Sequence, residues 1–95
     1  MANASLSRAT RAFLEYLQKE RNYSAHTVAA YRRDLEQFSS FATERGAATL
    51  KAAMTKAVLR DFVRTLSASG LRPRSVARKT ATLKSFSRYC VRHRK

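Results

Sequence analysis

Apolar residues recur along this chain at steps of three and four positions, the spacing that lines one side of an α-helix. The clearest series is Val28, Tyr31, Leu35, Phe38 and Ala42. Ser24 stands before it, where a short side-chain oxygen can cap the first turn of a helix. Gly46 follows it and can adopt the left-handed conformation that often ends a helix. The pattern therefore predicts a helix that begins at Ser24 and ends at Gly46.

Three further helices are predicted by the same periodicity. One runs from about Ser5 to Arg21, another from Thr55 to Gly70, and the last from about Arg74 to Arg92, directly after Pro73. Their predicted buried residues are Leu6, Ala9, Phe13, Tyr16 and Leu17, then Leu59, Phe62, Val63 and Leu66, then Val76, Thr80, Leu83, Phe86 and Cys90. Residues 47–54 have weak periodicity and are predicted to cross the surface.

The lengths of the connections predict how these helices pair. Short links join the first helix to the second and the third to the fourth, so each pair can form a helical hairpin. One hairpin buries little apolar surface by itself and must dock on the other. The 95 residues are enough for one compact core but not for two. The predicted fold is a single all-α domain, a bundle of four helices.

Positive charge is concentrated toward the end of the chain. The formal net charge is +14. Residues 62–95 contain ten Lys and Arg residues and no acidic residue, whereas residues 1–61 contain ten basic and six acidic residues. Such a field attracts polyanions, and Lys and Arg side chains release condensed counterions when they reach the phosphates of a duplex. We therefore predict a polyanionic partner.

The basic residues of the last predicted helix lie opposite its apolar side. At about 100° per residue, one side of this helix collects Arg74, Arg78, Ser85, Arg88 and Arg92. A run of charge usually forms a solvated surface. We expect no acidic residue nearby to neutralise this stripe, so we favour DNA contact over a merely solvated surface.

Several classes of protein and site are not indicated by the sequence. Cys90 is the single cysteine, so an intramolecular disulfide is impossible, and no Cys/His cluster has the spacing of a structural zinc site. No apolar stretch approaches the roughly 20 residues that span a bilayer, and the first residues given lack the apolar segment typical of a secretory signal. We expect a soluble, cytoplasmic protein that uses no membrane, metal or cofactor.

Two predicted helices contain residues in the pattern of a known family. The second helix carries a Ser, a Thr three residues on, a Tyr four further, an Asp-Leu pair and a Phe: Ser24, Thr27, Tyr31, Asp34, Leu35 and Phe38. The last helix carries Arg74, Ser75, Val76, Ala77, Arg78 and Lys79, followed by Leu83, Lys84, Ser85 and Phe86. This combination resembles the N-terminal core-binding, or SAM-like, domain of the tyrosine recombinases and phage-type integrases, including the Xer-like proteins. Thr80 and Lys84 depart from the family pattern, which has an aliphatic residue and an Arg there.

The resemblance covers nearly the whole chain and implies a fold, a function and partners. In this family two crossed helical hairpins join a separate C-terminal catalytic domain to form a clamp around duplex DNA. Residues 1–95 would be the core-binding domain, and the catalytic Tyr would belong to a domain outside this chain. We therefore expect no strand cleavage by these residues. The implied partners are double-stranded DNA and other recombinase protomers assembled on it.

The resemblance also implies that the second and last helices meet the major groove. The candidate DNA-binding residues of the second helix are His26, Thr27, Ala30 and Arg33. Those of the last helix are Arg74, Ser75, Arg78, Lys79, Thr82 and Arg88. Small side chains such as Ala30 would let the backbone approach DNA while longer neighbours reach phosphates or base edges.

Other interpretations remain open at this stage. Ser75 and Thr82 could equally be ordinary hydroxyls on a helix surface, His26 could be a bystander, and His93 is interpreted as part of a tail. A basic helical module that docks an acidic protein or an anionic membrane surface is an alternative function. A domain of the same family that serves chiefly in protomer contacts, through the first helix, is another.

Overall fold

A computed structural model describes residues 5–93 as five α-helices joined by short connections. They are α1 (Leu6–Lys19), α2 (Ala25–Glu44), α3 (Leu50–Ala53), α4 (Lys56–Ala68) and α5 (Pro73–Arg92). Helices α1 and α2 pack as one hairpin and α4 and α5 as another, and α5 also packs against both α1 and α2. The prediction of an all-α fold built from two helical hairpins is therefore confirmed.

The ends of the long helices follow the local chemistry of the sequence. The hydroxyl groups of Ser24 and Thr55 each accept a hydrogen bond from the backbone N–H three residues further on, at 3.1 and 3.2 Å. Gly46 and Gly70 have positive φ angles of 81° and 88°, which a residue without a Cβ adopts at little cost. Pro73 is the first residue of α5, where its missing N–H leaves no helical hydrogen bond unmade.

Aromatic rings from both hairpins form one core. The Phe13 ring of α1 lies 5.5 Å from the Phe86 ring of α5 and 6.1 Å from the Tyr31 ring of α2, measured between centroids. The Phe38 ring of α2 lies 5.2 Å from the Phe62 ring of α4. Phe13, Phe38 and Phe86 are among the largest fully buried side chains. The hairpins therefore share their apolar interior, as the periodicity predicts.

Thr80, the polar residue on the apolar side of α5, is half-buried and has a paired hydroxyl group. The Thr80 hydroxyl donates a hydrogen bond of 2.8 Å to the Val76 carbonyl oxygen one turn earlier. Because the hydroxyl is satisfied within its own helix, the departure from an aliphatic residue leaves no polar atom unpaired at this position.

The connection between the hairpins differs from the prediction. Residues 47–54 are predicted to cross the surface, but they contain the single turn of α3, and Ala47 and Ala53 are buried. The Leu6 backbone N–H at the start of α1 donates a hydrogen bond of 2.9 Å to the Ala48 carbonyl oxygen. Alanine gives a weak periodic signal, so the burial of this segment is not visible in the sequence.

Candidate nucleic-acid interface

Helices α2 and α5 are joined by one buried carboxylate. The Asp34 side chain on α2 is 5% exposed, and its Oδ1 atom accepts a hydrogen bond of 2.8 Å from Lys79 Nζ on α5. The Oδ2 atom accepts one of 3.1 Å from Thr82 Oγ1, and Arg78 Nη2 lies 3.3 Å from Oδ1. These four residues form what we call the Asp34 cluster. It brings three side chains of α5 onto a single acidic group of α2.

The Asp34 cluster changes the interpretation of two candidate DNA contacts. Thr82 is buried, with 4% of the residue exposed, so the interpretation of its hydroxyl as a surface group is wrong. The Lys79 side chain is only 13% exposed and points to Asp34. At about 100° per residue, both positions lie toward the packed side of α5 and away from Arg74. Lys79 and Thr82 therefore serve the contact between the two helices.

The expectation that no acid neutralises the basic stripe is also wrong at one position. Arg78 pairs with Asp34, which lies 44 residues earlier in the chain. The acid comes from a different helix, so the absence of Asp and Glu from residues 62–95 did not exclude it. Arg78 nevertheless keeps 54% of its side chain exposed, and its guanidinium has further N–H groups to donate.

The remaining basic side chains of α5 form an exposed cationic face. The residues of this cationic face are Arg74, Arg78, Lys84, Arg88 and Arg92. Among the ion pairs of residues 5–93, only Arg78 of this group pairs with a carboxylate. Ala77 and Ala81 are exposed between the basic residues, so small side chains separate the long ones. Ser75, in the first turn of α5, is half-buried.

The candidate residues of α2 lie beside the Asp34 cluster. Thr27 and Ala30 are half-buried, and at about 100° per residue they fall on the same side of α2 as Asp34. His26 and Arg33 are exposed and lie further around the helix, away from its apolar side. We call His26, Thr27, Ala30 and Arg33 the α2 flank. Because Asp34 contacts α5, the α2 flank and the cationic face are on neighbouring helices.

A group of aromatic rings packs the end of α5 against α1. Ring centroids of Tyr16 and Tyr89 are 5.0 Å apart, and the His93 imidazole stacks on Tyr89 at 4.5 Å with an interplanar angle of 24°. His93 is half-buried, so its interpretation as part of a tail is wrong. Burial raises the pKa of the Tyr89 hydroxyl. Arg94 and Lys95, which belong to the basic stretch, lie outside the described residues.

Other kinds of site find no support in the described part of the chain. Within residues 5–93, no three His, Cys, Asp or Glu side chains are grouped so that they could hold a metal ion. None of the helices over the same residues has the length and apolar character needed to span a membrane. Cys90 is half-buried, and this burial raises the pKa of its thiol to about 11.

Curated relatives of the chain are tyrosine recombinases. The XerC recombinase of Xanthomonas campestris pv. campestris is 39% identical over 92 residues, which cover 97% of this chain and 28% of that protein. XerC of Chlorobaculum tepidum is 45% identical over 84 residues, covering 83% and 25%. XerC of Oceanobacillus iheyensis is 44% identical over 80 residues, covering 84% and 26%. The chain thus spans about a quarter of the length of these relatives, and no solved structure matches it significantly.

A family comparison identifies which part of a recombinase these residues represent. The profile that describes the phage integrase N-terminal SAM-like domain matches residues 10–94. The matched region is the N-terminal domain and not the catalytic one, which agrees with the expectation that these residues do not cleave DNA. The resemblance carried by α2 and α5 is thereby confirmed, and the chain belongs to the phage integrase N-terminal SAM-like domain family.

Proposed function

We propose that this domain binds double-stranded DNA through the cationic face of α5 and the α2 flank. It would hold one half-site of a recombination site while a separate catalytic domain cleaves and rejoins the strands. The observation that carries the proposal is the exposure of five basic side chains along α5, directly beside α2. The relatives named above are tyrosine recombinases. Recombination acts on DNA, a polyanion that a basic surface of this kind attracts.

The shape of this surface suits a groove of B-form DNA. The major groove is about 12 Å wide and admits an α-helix. Ala77 and Ala81 on α5, and Ala30 on α2, are small enough to let the helix backbones approach the base edges. The guanidinium groups beside them can then donate to phosphates on the rims of the groove, which fix orientation without reading sequence. Base readout would fall to the few side chains between those arginines.

The Asp34 cluster supports this use of the surface. Within it, the mostly buried Asp34, Lys79 and Thr82 hold α5 against α2, so the basic residues of the cationic face other than Arg78 need not contribute to the helix contact. The Arg78 contact of 3.3 Å is longer than the Lys79 contact of 2.8 Å, and Arg78 is the more exposed of the two. Arg78 can therefore turn toward a phosphate while Lys79 continues to balance the charge of Asp34.

The salt dependence of duplex binding tests the proposal. The cationic face together with Arg33 supplies six basic side chains. If about five or six phosphates are neutralised, the logarithm of the affinity should fall with the logarithm of salt concentration at a slope of about −5. Fluorescence anisotropy of a labelled duplex measures this slope. A slope near −1 would contradict the proposed surface.

Neighbouring arginines on α2 provide a matched pair of variants. Arg33 belongs to the α2 flank, whereas Arg32 lines a groove between α1 and α2 together with Glu36. We expect Arg33→Ala to weaken duplex binding several-fold and Arg32→Ala to change it less. Arg78→Ala should also weaken binding while thermal unfolding shows that the bundle remains folded. Equal effects of Arg32→Ala and Arg33→Ala would exclude the α2 flank from the interface.

Two further measurements separate this function from its alternatives. Competition with an acidic peptide at moderate salt distinguishes a DNA-binding surface from a general docking surface for acidic proteins, since only the first should prefer the duplex. Size measurement with and without duplex tests the second expected partner, another recombinase protomer. We expect assembly to depend on DNA, and assembly of the free protein would instead favour a role in protomer contacts.

A further inference from the structure

A small cleft lies where the turn between α1 and α2 meets the last turns of α5. Three arginines line it: Arg21 after α1, and Arg88 and Arg92 from the cationic face. We propose that this cleft is a phosphate-binding subsite that holds one backbone phosphate of a bound duplex. The inference rests on the proposed DNA-binding function and deepens it, because it extends the contact from α5 to the turn between the first two helices.

The arginine from the α1–α2 turn is held by aromatic side chains and not by an acid. Its guanidinium carbon lies 5.5 Å from the centroid of the Tyr23 ring, within the range of a cation–π contact. Interaction with the Tyr16 hydroxyl group is the main cause that raises the pKa of Arg21. These partners orient the side chain without neutralising its charge. Its remaining N–H groups can therefore donate to an anion.

Arg88 and Arg92 of α5 line the same cleft as Arg21. Arg88 Nη2 lies 3.3 Å from Ser85 Oγ, one turn earlier on the same helix, and Ser85 also lines the cleft. Arg92 is one turn further along α5. Because Arg88 and Arg92 also belong to the cationic face, the cleft is continuous with the proposed DNA-binding surface and forms one end of it.

The charge around the cleft favours an anion. No Asp or Glu occurs among the residues that line it within the described part of the chain. Glu15 and Glu20 line a separate depression that shares Tyr16, Tyr89 and His93 with the cleft. The stacked rings thus stand between the two acids and the three arginines. An anion in the cleft would meet guanidinium groups and hydroxyl groups.

The size of the cleft and the geometry of its donors select the kind of anion. Its volume of about 70 Å³ is far below the roughly 300–1,000 Å³ of pockets for drug-sized ligands. A single compact anion fits such a space better than a base with its sugar. The planar forks of guanidinium groups match the oxygen atoms of phosphate. One phosphate group of a nucleic-acid backbone meets both conditions.

Inorganic phosphate probes the cleft without DNA. The chain labelled with ¹⁵N is titrated with sodium phosphate, with sodium chloride adjusted to constant ionic strength, and amide shifts are followed by NMR. We expect a saturable shift centred on Arg21, Tyr23 and Tyr89, with a dissociation constant on the order of 1 mM, and its loss in Arg21→Gln. Arg11→Gln is the control, because Arg11 lines the groove between α1 and α2. Shifts spread over all basic residues, or unchanged in Arg21→Gln, would overturn the subsite.

Duplex binding by the same variants distinguishes a backbone phosphate from a free one. Loss of one phosphate contact should reduce the magnitude of the salt slope by about 0.9, so we expect this change in Arg21→Gln and none in Arg11→Gln. If both variants bind duplex as the unmodified chain does while Arg78→Ala weakens binding, the subsite is wrong and the proposed function stands. If the chain binds no duplex but saturates with phosphate, the proposed function fails and the cleft accepts only free phosphate, which also overturns the backbone contact. Arg21 is exposed, so Arg21→Gln should fold normally, and thermal unfolding checks this.

Discussion

Replacing Asp34 with alanine is expected to destabilise the domain far more than removing any exposed acid. The carboxylate is 5% exposed and accepts from Lys79 at 2.8 Å and from Thr82 at 3.1 Å. In Asp34→Ala the ammonium group of Lys79, whose side chain is 13% exposed, loses its counter-charge. The variant therefore leaves a mostly buried cation unpaired between α2 and α5.

The expected loss of stability is estimated from the three side chains that donate to Asp34. Removing one partner of a buried ion pair costs about 3–5 kcal/mol. The flexible stem of Lys79 can carry its amine toward water, which brings the effect to the lower end of that range. Arg78 is half-exposed and adds at most about 1 kcal/mol, and Thr82 keeps the Arg78 carbonyl oxygen within 3.2 Å. We expect a loss of about 3 kcal/mol, and at about 4–8 °C per kcal/mol a fall in Tm of about 12–24 °C.

Urea and thermal unfolding followed by circular dichroism measure this loss. Asp61→Ala is the matched control, because the pair of Arg45 and Asp61 at 2.6 Å has side chains 45% and 34% exposed and should contribute at most about 1 kcal/mol. The double variant Asp34→Ala/Lys79→Met should be more stable than Asp34→Ala alone, since it removes the unpaired cation. The reasoning is refuted if Asp34→Ala costs no more than Asp61→Ala, or if Lys79→Met restores nothing.

Three other substitutions or modifications test separate features of the fold. Leu35→Asp places an unpaired charge at a position that is 1% exposed, so we expect loss of helical circular dichroism, and retention of native stability would contradict the assigned core. Gly46→Ala should lower the free energy of unfolding by about 1 kcal/mol, because a residue with a Cβ is strained at a φ of 81°. An added Cβ meets nothing within 4 Å, so no clash adds to this cost. An unchanged midpoint in urea would contradict this prediction. The pKa of Cys90 is raised from 9.0 to about 11, so its alkylation at pH 8 should be about 100-fold slower in the folded chain than in urea. Because folding raises the pKa of this thiol, its contribution to stability is complete below about pH 9 and is lost as the pH rises from about 9 to about 11, which urea unfolding at several pH values measures.

The helices and their caps could be predicted because the signals are local. The apolar series of α2 and the capping hydroxyl of Ser24 lie within a few residues of the structure that they specify. The same holds for Thr55, Gly46 and Gly70, whose roles depend on the backbone at their own positions. These features could be predicted without knowing which helices pack against each other.

The Asp34 cluster could not be predicted in the same way, because its partners are 44 to 48 residues apart. In the sequence pattern of α2 alone, Asp34 lies at the edge of the apolar side, a position typical of a solvated acid. Its burial follows only when α5 is laid beside it. Lys79 and Thr82 could have been separated from the exposed basic residues by their angular positions on α5. Their partner, however, depends on the packing of the two hairpins.

The hydrogen bond between Leu6 and Ala48 has a mechanical consequence for the domain. It joins the first residue of α1 to the connection between α2 and α3. The bond therefore resists splaying of α1 and α2 at the open end of their hairpin. Hydrogen exchange should accordingly show a protected Leu6 amide, although the first N–H groups of a helix have no partner within that helix.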